Sequence, residues 1–395
     1  MSNLQAELRP IRVKTTWVTY LLMGAYGAWV YAFGATRASL TDEQGISLTV
    51  AGLYGTAVAF GLVVMAGLNA RVAGKLGRGG SMRLGSCVVI AGILVITSGL
   101  PFAVTLIGAF ITACGGALAV SGVSAFVSAQ QGLAAPAALS EASALAAIGS
   151  FIGPVVAGVG IAIGWGWRPA LWAVALCFLL VEILRGRNVH EYDGHGDTRE
   201  LPSKMRDLPK LFWWTALTML PAAGIEYCLA LWSTDYLKER GGLDGGAEQA
   251  ALVSIVVGLL IGRVVGSRLA EHMNPERLLT GAFALSGLAF LVVWSIPNIW
   301  IMLLFLVITG CGVGLHWPLA IGRSIRSAPQ FADRAAGTGL MAAGIAVMIA
   351  PFALGAMADG FGLQWAFLIV PALALLGVAL VVFRPVPMLV SGTSE

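Results

Sequence analysis

Hydrophobic positions in this chain gather into blocks of roughly twenty residues, the length a helix rising about 1.5 Å per residue needs to cross a bilayer core of about 30 Å. The blocks cover 16–34, 49–70, 84–100, 105–128, 140–163 and 169–184, then 211–231, 250–269, 278–296, 300–321, 335–357 and 364–383. The pattern predicts an all-α membrane protein of twelve transmembrane helices, numbered here in chain order. Helices 3 and 4 nearly meet at Pro101, the weakest break in the count. One polar stretch, 185–210, interrupts the series almost at its midpoint and reads as a linker. The predicted organisation is therefore a six-helix bundle over 1–184, a linker over 185–210 and a second six-helix bundle over 211–395.

The polar breaks are basic on alternate sides. With both termini on one side, that side collects twenty of the 24 Lys and Arg residues, and the other holds only Arg37, Arg168, Lys238 and Arg240. Basic loops stay in the cytoplasm, so the bias predicts cytoplasmic termini and a multi-pass protein of the cytoplasmic membrane. The first fourteen residues are polar, with Arg9, Arg12 and Lys14, and read as a cytoplasmic tail leading into a retained first helix rather than a cleaved signal.

The two halves repeat. Trp17-Val18-Thr19-Tyr20-Leu21-Leu22-Met23 matches Trp213-Trp214-Thr215-Ala216-Leu217-Thr218-Met219 at a shift of 196, and Tyr31 falls on Tyr227 at the same shift. Arg71-Val72-Ala73-Gly74-Lys75 matches Arg268-Leu269-Ala270-Glu271-His272 at 197. A common offset, with matching hydropathy, predicts two pseudo-symmetric bundles with a site between them at mid-membrane.

Composition narrows the class. Hydrophobic residues make up 58% of the chain and charged residues 11%, against about 25% charged in soluble domains, so lipid is the solvent. The net charge of +4 is dispersed over loops, which excludes a nucleic-acid-binding face. Cys87, Cys114, Cys177, Cys228 and Cys311 lie singly in apolar runs, and His190, His195, His272 and His316 fit no ligand spacing. Neither a disulfide framework nor a metal site is expected, and no cofactor. There is no phosphate-binding GxxxxGK[ST] run, so ATP hydrolysis is not the drive.

Between helices 2 and 3 stands Val72-Ala73-Gly74-Lys75-Leu76-Gly77-Arg78-Gly79, and its counterpart in the second half is Gly262 to Glu271. These resemble the loop motif of the major facilitator superfamily, roughly Gly-x-Leu-Ala-Asp-Arg-x-Gly-Arg-Arg, and the resemblance extends over essentially the whole chain. It implies a conformational latch formed by Lys75, Arg78, Arg268 and Glu271, with Gly74 standing where the family has its acid. Gly149-Ser150-Phe151-Ile152-Gly153-Pro154-Val155-Val156-Ala157-Gly158 in helix 5 resembles the family's antiporter motif, while its small residues also suit close helix packing. A narrower resemblance lies in Glu226-Tyr227, Trp232, Tyr236 and Gly262-Arg263, which is similar to the fucose and glucose proton symporter branch. That branch also uses acids in its first half. Here Glu141 and Glu182 sit near helix ends, so coupling moves to the second half or is absent.

Among individual residues Glu226 stands out. Lys210 and Asp235 mark the two ends of helix 7, which puts Glu226 near mid-membrane. An ionised group there costs at least about 2.5–3.5 kcal/mol, so such residues are paired, protonated or facing water, and mark transport pathways. Tyr26 and Trp29, at i and i+3, share a face of helix 1, and Tyr31 follows. Aromatic rings with polar tips suit a sugar, although Trp29 and Tyr31 are placed close to the outer end, where an interfacial belt is the alternative. His316-Trp317-Pro318 lies in the inner half of helix 10, where His316 is a ligand, a proton relay or simply bonded to backbone. Arg263 reads as snorkelling to the inner surface, and Arg37 and Arg168 as interfacial anchors. The candidate site for substrate and protons is Glu226, Tyr227, Tyr26, Trp29, Tyr31, His316, Trp317 and Trp232.

These features predict a monomeric secondary transporter of a small polar solute, a sugar being the class the narrower resemblance names, coupled to protons. A drug or metabolite efflux antiporter is the alternative and would favour a bulky apolar cavity. A membrane-embedded enzyme needs a metal cluster or a nucleophile with its base, and none converges here. A sensor needs a soluble domain that no loop is long enough to hold.

Overall fold

The computed structural model describes residues 10–131, 134–193, 208–328 and 331–386. Gly194 and most of the central linker lie outside the described residues. Within them the chain is a bundle of twelve helices in two halves. In the first half are α1 (Lys14–Gln44), α2 and α3 (together Leu48–Ile96), α4 (Phe102–Gln131), α5 (Ala135–Gly149, then Ile152–Ala162) and α6 (Arg168–Arg185). In the second are α7 (Lys210–Ala216, then Met219–Gly241), α8 (Ala247–Ala251, then Val253–His272), α9 (Pro275–Ser295), α10 (Ile299–Arg326), α11 (Ala332–Phe361) and α12 (Leu363–Ala366, then Ile369–Val382). Below, the basic end is the end of the bundle where α1 begins.

Hydropathy misplaced several helix ends. Helix 1 was expected to stop at 34 and helix 7 at 231, yet α1 runs on to Gln44 and α7 to Gly241. The charges that ended the apolar blocks, Arg37 and Asp235, are buried against each other and so do not terminate the helices. The expected loop over 71–83 is also almost absent, because only Gly77 leaves helical geometry between α2 and α3. Its φ of 72° is a left-handed conformation open to glycine without strain. Three other interruptions share one cause. Interior proline lacks an N–H and its ring clashes with the carbonyl four residues earlier. Pro154, Pro221 and Pro371 each lie four residues beyond a break, at Ser150, Leu217 and Phe367.

Among the described residues, ten helices are long and apolar enough to cross a membrane by length and composition alone. The two others are α1 and α6. The latter carries Arg168, Glu182 and Arg185 in its 18 residues. Within each half, glycines bring helices to backbone contact. A Cβ on Gly27 would lie 2.0 Å from the Ala146 carbonyl, and one on Gly149 only 1.9 Å from that of Gly24. The glycine–proline run of α5 is thus the surface on which α1 packs.

The halves meet along α1–α7, α2–α11 and α5–α8. Adding six to a helix number, modulo twelve, exchanges the last two pairs and maps the first onto itself. That is the contact pattern of a two-fold axis between the halves.

Candidate functional site

With α1 extended to Gln44, Tyr26, Trp29 and Tyr31 fall at mid-helix rather than near the outer end, where the shorter helix had put them. They face α7 of the other half. Tyr26, Trp29 and Phe33 line a cavity with Val58 and Leu62 of α2, Ala113 of α4, and Tyr227 and Leu231 of α7. Trp29 stacks on Phe33 with ring centroids 5.0 Å apart. The volume open to the centre of a water-sized sphere is about 20 Å³, enough for roughly one water, so the cavity is nearly closed in this conformation.

Beside the cavity stands Glu226. Its charge acts on Tyr26, Tyr31 and Tyr227, and Arg263 of α8 acts on both Glu226 and Tyr31. No carboxylate–guanidinium contact within 4.0 Å joins Glu226 to Arg263. Arg263 instead crosses to the first half, its Nη1 donating to the Ser143 carbonyl of α5 at 3.4 Å. The Tyr31 hydroxyl, on a residue 4% exposed, has no hydrogen-bond partner. Tyr31 and Tyr227, the pair related by the internal repeat, therefore both lie near one carboxylate. The reading of Arg263 as a snorkelling residue is corrected: it lies within α8, nine residues before His272, and takes part in this cluster.

The remaining candidates are elsewhere. His316 is fully buried, stacked on Phe283 at 4.2 Å, with Nε2 and the Ser286 hydroxyl 3.2 Å apart. It is packed between α9 and α10 and is not among the groups acting on Glu226. Trp317 packs, partly buried, against the core. Trp232 belongs to a seal between the halves at the end away from the basic one. Its Nε1 donates to the Pro351 carbonyl at 3.0 Å, and the Arg37 guanidinium lies 4.0 Å above its ring. Arg37 is no interfacial anchor: it is 1% exposed, pairs with Asp235 and donates through Nε to the Leu231 carbonyl at 2.8 Å. Around it, Lys238 pairs with Asp42 at 2.9 Å, and the side chains of Gln249 and Ser39 lie 3.4 Å apart. The Asp359 carboxylate accepts from the Leu48 and Thr49 amides at 3.1 and 2.7 Å, placing an α11 anion on the N-terminus of α2. Arg168 pairs with Glu43 at 2.5 Å within the first half and holds that carboxyl below its ordinary range.

Of the latch residues, Lys75 and Arg268 are exposed, and the Glu271 side chain lies outside the described residues. Arg78 donates to the Asp193 carbonyl at 2.8 Å, and an Asp193 carboxylate oxygen accepts from the Gly79 amide at 3.0 Å. Asp193, in the segment after α6, thus supplies an acid to the loop in which Gly74 has none. Sequence reading missed Asp193, Arg37, Asp235 and Asp359. One signal was available: Arg37 and Asp235 are 198 residues apart, close to the repeat offset, so opposite charges occupy nearly equivalent places on the two helices that face each other.

A family model described as Major Facilitator Superfamily matches residues 17–284 and again 249–394. No curated protein matches the chain. Among solved structures, a bacterial homolog to the human lysosomal transporter Spinster, inward-facing and unoccupied, superposes with a TM-score of 0.74 at 12% identity, covering 94% of this chain and 96% of that one. The nucleoside transporter NupG gives 0.72 at 10%, covering 94% and 98%. The transporter FucP in the outward conformation gives 0.60 at 16%, covering 93% and 99%.

Proposed function

We propose, from the premise that this chain belongs to the Major Facilitator Superfamily, that it carries a small polar solute across the cytoplasmic membrane by alternating access, coupled to protons through Glu226. It is a membrane transporter rather than an enzyme. The observation that carries the finer reading is the placement of Glu226 at the helix 1–helix 7 junction between the halves, near Tyr26, Tyr31 and Tyr227, with no ion-pair partner in contact among the described residues. A carboxyl group so placed exchanges protons with whichever side the cavity opens to, and its charge is too costly to carry across unpaired.

The basic-residue bias supports cytoplasmic termini. FucP, a fucose:proton symporter, supports a polar solute and proton coupling. A monomer is the working unit. Glu226→Gln, which mimics the protonated form, tests the proposal. It should abolish proton-driven accumulation while leaving substrate exchange partly intact, whereas a misfolded variant loses both. Accumulation against a gradient with unchanged pH dependence would make Glu226 structural.

The apolar part of the cavity lining, Phe33, Val58, Leu62 and Leu231, favours the second reading, an efflux antiporter. Everted vesicles separate the two: with the lumen acidic, only an antiporter concentrates its substrate inside them, whereas a symporter empties them.

A further inference from the structure

The charges at mid-membrane are not symmetric between acid and base, and this bears on the solute. Arg263 of α8 lies near Glu226 and Tyr31 without an ion-pair contact to the carboxylate, and its hydrogen bond to the Ser143 backbone carbonyl of α5 is a long one, 3.4 Å. The Tyr31 hydroxyl beside it is buried and unpartnered. A guanidinium from the second half and an unused hydroxyl donor from the first make an anion-binding pair, since arginine's planar fork suits a carboxylate. From this geometry we infer that the transported solute is a small organic monocarboxylate, bound through its carboxylate to Arg263 and Tyr31. The inference rests on the proton-carrying role proposed for Glu226 and names the solute class of that same site.

Charge balance gives the arrangement a working logic. Arg263 is the one charged group acting on Glu226 among the described residues. Tyr26 and Tyr31 from α1 and the adjacent Tyr227 are the titratable groups near it, and the described residues of α10, α11 and α12 contribute none. With Glu226 ionised and no solute bound, the site carries no net charge. With a proton taken from water onto the Glu226 carboxylate and a monoanion on Arg263, it again carries none. A proton alone leaves one positive charge and an anion alone one negative charge, and either charge resists passage through a low-dielectric interior. The empty and the doubly loaded forms are therefore the ones that reorient. On release, the proton returns to water from Glu226 and the anion leaves Arg263, so each cycle moves no net charge.

The test uses the purified full chain, with matched probes of equal size, D-gluconate against D-glucose and lactate against glycerol. A ligand that binds only the folded state raises its melting temperature. At least one of the carboxylates should raise it by several degrees, more at pH 5.5 than at pH 8, and neither neutral partner should. Arg263→Gln should remove the shift, Arg263→Lys should keep part of it, and Glu226→Gln should keep it while flattening its pH dependence. The melting temperatures without ligand identify any variant that simply fails to fold. In proteoliposomes, a pH gradient should drive uptake of the stabilising anion and a membrane potential alone should not. Stabilisation by the neutral probes, by none of the probes, or by the anion equally in Arg263→Gln overturns the monocarboxylate assignment. Unaltered pH dependence in Glu226→Gln, with anion binding intact, overturns instead the proton role of Glu226.

Discussion

At the residue scale, what distinguishes this protein is which charges are buried and against what. Arg37 and Asp235 come from different halves and are almost wholly removed from water. Deleting one partner of such a pair costs about 3–5 kcal/mol because the other is left uncompensated. Asp235→Asn should therefore lower the melting temperature. It should also raise the reactivity of a cysteine placed at the buried Ser233 toward an impermeant thiol reagent. The reversed pair Arg37→Asp with Asp235→Arg should recover part of both effects. Unchanged labelling in Asp235→Asn would mean the pair does not hold the seal. Glu43 responds to pH in a defined direction. Its hydrogen bond to Arg168 lowers its folded pKa from 4.5, so the stability it contributes is present above that value. It is lost as the pH falls through the lower folded value. Glu43→Gln should lower the melting temperature at pH 7 and flatten the acid limb below about pH 5, where variant and parent converge.

At the element scale, helix contacts in this bundle depend on missing side chains. Where α1 crosses α5, Gly27 and Gly149 each meet a backbone carbonyl at about 2 Å from an added Cβ. Overpacking of well-fitted contacts costs about 1–3 kcal/mol, occasionally more. Gly27→Val should lower the melting temperature and the yield of folded protein, whereas Gly67→Ala, at a position with nothing within 4 Å of the added atom, should change neither. Equal melting temperatures for the two variants would show that α1 and α5 separate freely. The proline-linked breaks in α5, α7 and α12 belong to this scale as well. Each loosens one hydrogen bond four residues back, and two of them lie on helices that line the junction between the halves.

At the scale of the whole molecule, contacts between the halves concentrate at one end, through Arg37–Asp235, Lys238–Asp42, Gln249–Ser39 and Asp359 on the α2 N-terminus. Alternating access requires this seal to break. Ser39→Cys with Gln249→Cys, in a background lacking the five native cysteines, should be joined by a short thiol crosslinker. The joined protein should stop transporting until the link is cleaved by reductant. Continued transport of the crosslinked form would show that the sealed end does not open in the cycle. Orientation is a separate matter. A cysteine at Gly194 should be labelled only from the cytoplasm, and labelling by an impermeant reagent in intact cells would invert the assignment.

The sequence by itself determined the number of helices and the division into two halves, because these follow from local hydropathy and from a repeat visible at one offset. Only the tertiary structure decided the company the polar residues keep. The apolar blocks stopped short at Arg37 and Asp235 because a window along the chain counts a charge as exposed. It is blind to the opposite charge on the facing helix, 198 residues away, that keeps both helices running. Arg263 was read as snorkelling for the same reason, and its place beside Glu226 and Tyr31 depends on how α8 meets α1 and α7. Asp193 stands in for the acid missing at Gly74 through the fold of the chain after α6, and His316 faces Phe283 and Ser286 through the packing of α9 on α10. Burial of a membrane span is local and survives in the sequence, whereas pairing of charges across an interface is a property of three-dimensional proximity.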